Sequence, residues 1–160
     1  MSKILIAYYS QSGMTKRMAE IIKKKTNADI YEIIPVKKYN DDMWKAWDEA
    51  KKERANGTYP ELKNELPNIS KYDVILVGGG VWGYTLSNPV ESFMQKMDFQ
   101  GKRVSAFWTF YDHDEKYNID MKKKTKNGKY IDGLALPRSL ISNNTKLNES
   151  IDNWIKQFEV

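Results

Sequence analysis

The sequence predicts an open, doubly wound α/β domain with five parallel strands in the order 2-1-3-4-5 and helices on both faces. Three observations carry that expectation. Short β-branched and aromatic runs alternate with stretches of helical spacing, the pattern in which crossover helices cover a buried parallel sheet. The first run ends in a hydroxyl-rich turn, Ser10 to Thr15, and the third in Gly78-Gly79-Gly80. The chain has 160 residues and no cysteine, which suits one domain (1–160) that buries its core without cross-links.

The elements follow in order. Lys3 to Tyr9 reads as a buried first strand. Met14, Met18, Ile21 and Ile22 then share one helix face, and Asn27 ends that helix because asparagine tolerates left-handed backbone. Ala28 to Ile34 is the second strand, stopped by Pro35. Asn40, Asp41 and Asp42 offer caps for a helix with Met43, Trp47 and Ala50 on one face. Gly57 to Pro67 is a polar surface connection, and Tyr72 to Val77 is the third strand. In the next helix Asn88 is expected to cap, Pro89 to fill the first turn and Glu91 to reach back to the cap. Its buried stripe is Val90, Phe93, Met94 and Met97. Lys102 to Phe110 is the fourth strand, Tyr111 to Asn127 a polar loop leading into a short helix, and Lys129 to Leu136 a fifth strand broken by Gly133. Asn143 or Asn144 caps the last helix, whose stripe is Leu147, Ile151, Trp154, Ile155 and Phe158.

Composition narrows the chemistry. Without cysteine there is no disulfide, thiolate ligand or thiol nucleophile, and the lone histidine, His113, excludes a multi-histidine metal site. The net charge of +5 is concentrated in Lys122, Lys123, Lys124, Lys126 and Lys129. No aromatic residue interleaves them before Tyr130, so the stretch reads as a solvated surface and no nucleic-acid partner is expected. No apolar run is long enough for a signal core or a membrane span, which makes a soluble, cytoplasmic protein the default expectation.

In the order 2-1-3-4-5 the chain leaves the adjacent first and third strands in opposite directions, opening a crevice at their carboxyl ends. Three loops must border it: Ser10–Thr15, Gly78–Ser87 and Thr109–Asp114. In the first, the hydroxyls of Ser10, Ser12 and Thr15, with Gly13 and the amides of a helix N-terminus, suit a phosphate held mainly by hydrogen bonds. A serine-rich helix cap without a ligand is the competing reading. The nucleotide P-loop and the dinucleotide fingerprint both fail, the first on lysine spacing and the second because only Gly13 is present. In the second loop, Trp82 beside Gly83 presents a flat wall to an aromatic ring, against the plainer alternative of a core tryptophan. The third supplies Phe110 and Tyr111 as a second wall. Asp112 and Asp114 lack further ligands for a cation, so no metal is expected.

These residues resemble a known family. The run Lys3 to Tyr9 followed by Ser10-Gln11-Ser12-Gly13-Met14-Thr15 resembles the flavodoxin opening, a strand then (S/T)-x-(S/T)-G-x-T. Tyr72 to Gly78 resembles the family's third strand. Val81-Trp82 with Asn88-Pro89-Val90, and the stretch from Trp44 to Asn56 ahead of Pro60 to Asn64, resemble a bacterial flavodoxin-like branch. The likeness covers the first two-thirds of the chain and weakens after Phe110. It implies a three-layer flavodoxin-like fold and flavin mononucleotide (FMN) as cofactor. Carried over by position, Ser10, Gln11, Ser12, Gly13, Met14 and Thr15 would bind the phosphate. Val81, Trp82, Gly83 and Tyr84 would border the isoalloxazine, and Thr109, Phe110, Tyr111 and Asp112 would form its other side and meet the pyrimidine edge. A carboxylate such as Asp112 would disfavour the anionic reduced flavin. The resemblance implies electron transfer with redox partner proteins or an NAD(P)H-linked reductase, as a monomer or weak dimer. The alternatives are an NAD(P)H-dependent quinone or azo-compound reductase and a flavodoxin-fold binding module without redox work. Gly80 stands where the branch often has proline, the third loop lacks the usual Thr/Ser-Gly-Gly, and the basic charge departs from the acidic electron carriers.

Overall fold

β1 (Ile4–Tyr8) is apolar throughout and buried throughout, as a central parallel strand must be. In the computed structural model, which describes residues 2–158, it lies between β2 (Asp29–Glu32) and β3 (Val74–Trp82), parallel to both. β5 (Arg103–Phe110) extends the sheet beyond β3, and β6 (Lys129–Tyr130) and β7 (Leu134–Pro137) both run parallel along β5. The short β4 (Thr85–Leu86) folds back antiparallel onto the end of β3. The order is thus the expected 2-1-3-4-5, with β5 in the fourth place and β6 and β7 together in the fifth.

Alternation along the strands divides the core into two apolar layers. Leu5, Ala7, Ile75 and Val77 face α3 (Asn88–Lys96) and α4 (Tyr117–Lys124), packing with Val90, Phe93, Met94, Tyr117 and Met121. Ile4, Ile6, Tyr8, Val74 and Leu76 face α1 (Met14–Thr26) and α6 (Asn144–Ile155), packing with Met18, Ile22, Leu147, Ile151 and Trp154. A 3-10 turn, Lys156–Phe158, follows α6 and buries Phe158. α2 (Met43–Asn56) and the short α5 (Arg138–Ile141) stand near the carboxyl ends of the strands. Among the described residues no helix is long and apolar enough to cross a membrane.

Capping is local, as the sequence predicts. Asn27 ends α1 at φ 56°, the Asp42 carboxylate accepts from the amides of Trp44 and Lys45, and the Asn143 side chain accepts from Lys146 N.

The structure departs from expectation at five places. β3 does not stop at Val77 but runs through all three glycines to Trp82. A Cβ on Gly78 would lie 2.2 Å from the Phe107 ring and one on Gly79 would lie 2.9 Å from the Tyr117 hydroxyl, so these glycines make room for neighbours inside a strand. The cap of α3 is Ser87; Asn88 instead turns toward α2, and Glu91 pairs with Lys124. The second strand is shorter than Ala28 to Ile34; the fifth does break before Leu134 as expected, at Gly133, whose Cβ would meet the Ala106 carbonyl oxygen at 2.4 Å. On α2 the buried positions are Ala46 and Ala50, while Met43 is exposed. α5 has no counterpart in the sequence reading.

Candidate functional site

The first, second and third loops meet at the carboxyl ends of β1, β3 and β5 around a cavity of about 340 Å³. Gln11, Ser12, Met14 and Thr15 line it from the first loop, Val81, Trp82 and Gly83 from the second, and Thr109, Phe110, Tyr111 and Asp112 from the third. Three other expected residues lie off the wall. Ser10 turns inward on its own loop, its hydroxyl accepting from Gly13 N at 3.0 Å. Gly13 caps α1 at φ 97°, a backbone shape that strains any residue with a Cβ. Tyr84 points outward, its ring edge-on to His113 at 5.6 Å.

The first loop delivers the N-terminus of α1 to the cavity. The opening amides of that helix have no intrahelical partner and carry the positive end of its dipole. Thr15 is buried, and its hydroxyl lies 3.0 Å from the Thr109 hydroxyl, tying the first loop to the third across the crevice. Gln11 donates through Nε2 to Asn40 O at 2.7 Å, fixing the loop against the approach to α2.

Trp82 is half-buried on the opposite wall. Tyr9 and Tyr39 meet its indole nearly at right angles, with centroids 6.0 and 5.0 Å away, and so fix its plane. The turn after it depends on Gly83, at φ 73°, where a Cβ would come 2.9 Å from Trp47 Cη2. A polar network anchors this hairpin to α2. Arg54 donates from Nε to Asn88 Oδ1 at 2.8 Å and from Nη2 to Leu86 O at 2.5 Å, with its guanidinium 4.9 Å above the Trp47 ring. Asn88 Nδ2 donates to Ala50 O at 3.0 Å and Glu53 Oε1 at 2.8 Å, and the Tyr39 hydroxyl donates to the same Glu53 oxygen at 2.5 Å. Burial, reinforced by Glu53, pushes the Tyr39 hydroxyl well above the ordinary tyrosine range. Burial also draws the Arg54 pKa down, against the opposing pull of Tyr59, Glu91, Tyr39 and Glu53.

In the third loop Tyr111 stands exposed, with the Arg138 guanidinium 5.1 Å from its ring centre. The Asp114 carboxylate accepts from Trp108 Nε1 at 2.8 Å and is thereby committed to anchoring the loop rather than pairing with Asp112. His113 Nδ1 lies 2.9 Å from Glu115 Oε1, and that hydrogen bond holds the His113 pKa above its ordinary value. Among the described residues no group of three or more histidines and carboxylates could hold a metal ion.

Sequence reasoning missed Tyr9, Met43, Arg138 and Ile141 as cavity-lining residues, whereas His113 lines it from within the expected third loop. Arg138 matters most, because it brings a cation to a crevice whose first loop has none. Its one signal was position, directly after a strand that ends at the crevice, and the sequence reading assigned no crevice loop after Leu136.

Comparison with known proteins agrees with this geometry. A flavodoxin family model matches residues 3–158. A flavoprotein from Lactobacillus acidophilus, solved in complex with FMN, is 27% identical, with a TM-score of 0.75 over 89% of this chain and 97% of the other. A protein from Bacteroides eggerthii, there assigned as a flavoprotein, is 25% identical, with a TM-score of 0.83 over 100% of this chain and 99% of the other. An NADPH-quinone reductase from P. pentosaceus, 11% identical with a TM-score of 0.58 over 96% and 97% of the two chains, shares the fold. No protein of curated function matches significantly in sequence. With its strand order, its crevice and a family match over nearly its whole length, the chain belongs to the flavodoxin family.

Proposed function

We propose that this protein carries electrons through one non-covalently bound flavin mononucleotide, its phosphate at Ser10–Thr15 and its ring between Trp82 and Tyr111. One juxtaposition supports the reading above all. A helix N-terminus with hydroxyls, suited to a phosphate, shares a cavity with two aromatic walls, suited to a flat ring. The cavity volume lies in the usual range for cofactor pockets, about 300–1,000 Å³. The FMN complex of the L. acidophilus relative supports the choice of ligand.

When bound, the flavin supplies the redox chemistry. The chain's residues hold and shield it. Ser12, Thr15 and the opening amides of α1 take the phosphate oxygens, and Arg138, over the Tyr111 ring, brings a compensating charge to the same cavity. Trp82, its plane fixed by Tyr9 and Tyr39, covers one side of the ring, and Tyr111 covers the other. Asp112, exposed on the rim, places a negative charge near the pyrimidine edge. Titration of the purified protein with FMN tests the proposal. Quenched flavin fluorescence, a shifted absorption band and one flavin per chain are expected. A colourless protein that leaves the flavin spectrum unchanged would overturn it and favour a binding module without redox work.

A second reading, an NAD(P)H-dependent reductase of quinones or azo compounds, is favoured by open space beside the crevice, bounded by Trp44 and Trp47 of α2. Steady NADPH oxidation by the flavin-loaded protein, dependent on added quinone, would select it over the electron carrier.

A further inference from the structure

That space is a chamber of about 430 Å³ between α2 and the β3–β4 turn. Its inner wall, Gln11, Met43 and Val81 to Gly83 with Tyr111 and Asp112, is shared with the crevice. Its outer wall is Trp44, Ala46 and Trp47, and none of these three lines the crevice. Trp44, Tyr111 and Met43 are 79%, 60% and 54% exposed, and all three line this chamber. Large apolar side chains gathered around one concavity mark a binding site more strongly than the same side chains scattered singly.

We propose that the chamber is a second ligand site, taking a small, flat aromatic molecule, neutral or cationic, beside the flavin ring; the placement rests on the flavin reading above. The size suits a ligand of two or three fused rings. The chemistry of the walls sets its character. Trp44, Trp47, Trp82 and Tyr111 offer π-faces to another ring; Trp47 and Tyr111 already carry the Arg54 and Arg138 guanidiniums at 4.9 and 5.1 Å, which leaves Trp44 and Trp82 as the faces for a ligand cation. The polar side chains are Gln11 and Asp112. Gln11 already spends an N–H on Asn40 O, and an ionised Asp112 can only accept. Asp112 is the one charged side chain on the chamber wall, beside the indole N–H groups of the three tryptophans and the Tyr111 hydroxyl. A neutral ring with a hydrogen-bonding edge, or one with a positive charge, is matched, and an anionic ring is opposed by Asp112.

The test uses the full chain saturated with FMN, titrated by calorimetry with 9-aminoacridine as the cationic probe, menadione as the neutral one and anthracene-9-carboxylate as the anionic one. The first two should bind once per chain without releasing flavin, and the third should bind at least about tenfold more weakly. Trp44→Ala, at a position largely in solvent, should weaken the first two by about tenfold while leaving the FMN affinity unchanged. Asp112→Asn should narrow the gap between cation and anion. If FMN binds but neither ring does, the inference falls and the flavin reading stands. Probe binding that displaces FMN would mean the flavin's own ring fills the chamber, and a dimer dissolved by Trp44→Ala would mean a second copy covers it; either overturns the inference. If FMN itself does not bind, both readings fall together.

Discussion

Replacing Arg54 with methionine should separate the hairpin from α2. The substitution keeps a long apolar stem on Trp47 but removes the donors to Asn88 Oδ1 and Leu86 O. Each is a hydrogen bond from a charged donor, worth about 1.5–3 kcal/mol, and loss of both leaves two acceptors short in a largely buried setting. Part of that loss is recovered because the desolvated cation is gone as well. We expect a net destabilisation of about 3 kcal/mol, which for a chain of this size lowers Tm by about 9 °C. Urea unfolding followed by tryptophan fluorescence and circular dichroism gives the number, and an unchanged slope confirms that the same two states are compared. Arg54→Lys should recover little, because an ammonium lacks the planar fork that serves Asn88 and Leu86 together. FMN affinity should fall in both variants, since Trp82 sits on the strand that the fork holds. A loss below about 1 kcal/mol in Arg54→Met, or wild-type stability in Arg54→Lys, would refute the claim that this network anchors the hairpin.

Other perturbations should separate crowding, strain and charge. Gly78→Ala drives a Cβ into the buried Phe107 ring and should cost at least about 2 kcal/mol by overpacking; an unchanged urea midpoint would contradict it. Gly13→Ala meets no atom within 4 Å and should cost only the strain of φ 97°, about 1–2 kcal/mol, while weakening FMN by shifting the phosphate loop. The His113 ring, followed by proton NMR, should titrate above the ordinary histidine value, and Glu115→Gln should bring it back down. Because the folded pKa is raised, the His113–Glu115 pair adds to stability at pH below the unfolded histidine value, and that contribution is lost as pH rises through the folded one.

Much of the architecture was legible because it rests on short-range pattern. The buried run of β1, the stripes of α1, α3 and α6, and the caps at Asn27, Asp42 and Asn143 are written in neighbouring residues. Eleven of the fourteen residues expected around the cofactor line the crevice: Gln11, Ser12, Met14, Thr15, Val81, Trp82, Gly83, Thr109, Phe110, Tyr111 and Asp112. What was not legible depends on partners distant in sequence. Three successive glycines look like a loop until Phe107, Tyr117 and Val90 are known to fill the space beside Gly78 and Gly79. Asn88 has the chemistry of a helix cap, and only the approach of α2 recruits it to Ala50, Glu53 and Arg54 instead. Trp44 drew no role of its own from the sequence, because nothing in its local sequence says that Trp82 stands across a gap from it.

The split of the last strand at Gly133 bears on how the molecule meets its own copies. One border of the sheet is a two-residue strand and a four-residue strand separated by Ile131, Asp132 and Gly133, too broken to template a continuous ladder. The opposite border, β2, is four residues long and carries the exposed acids Asp29 and Glu32. Neither side offers a long, flat, apolar row of free backbone, so the sheet resists fibre-like growth by strand addition. Association between copies of this chain is left to side-chain faces, where single substitutions can make or break it.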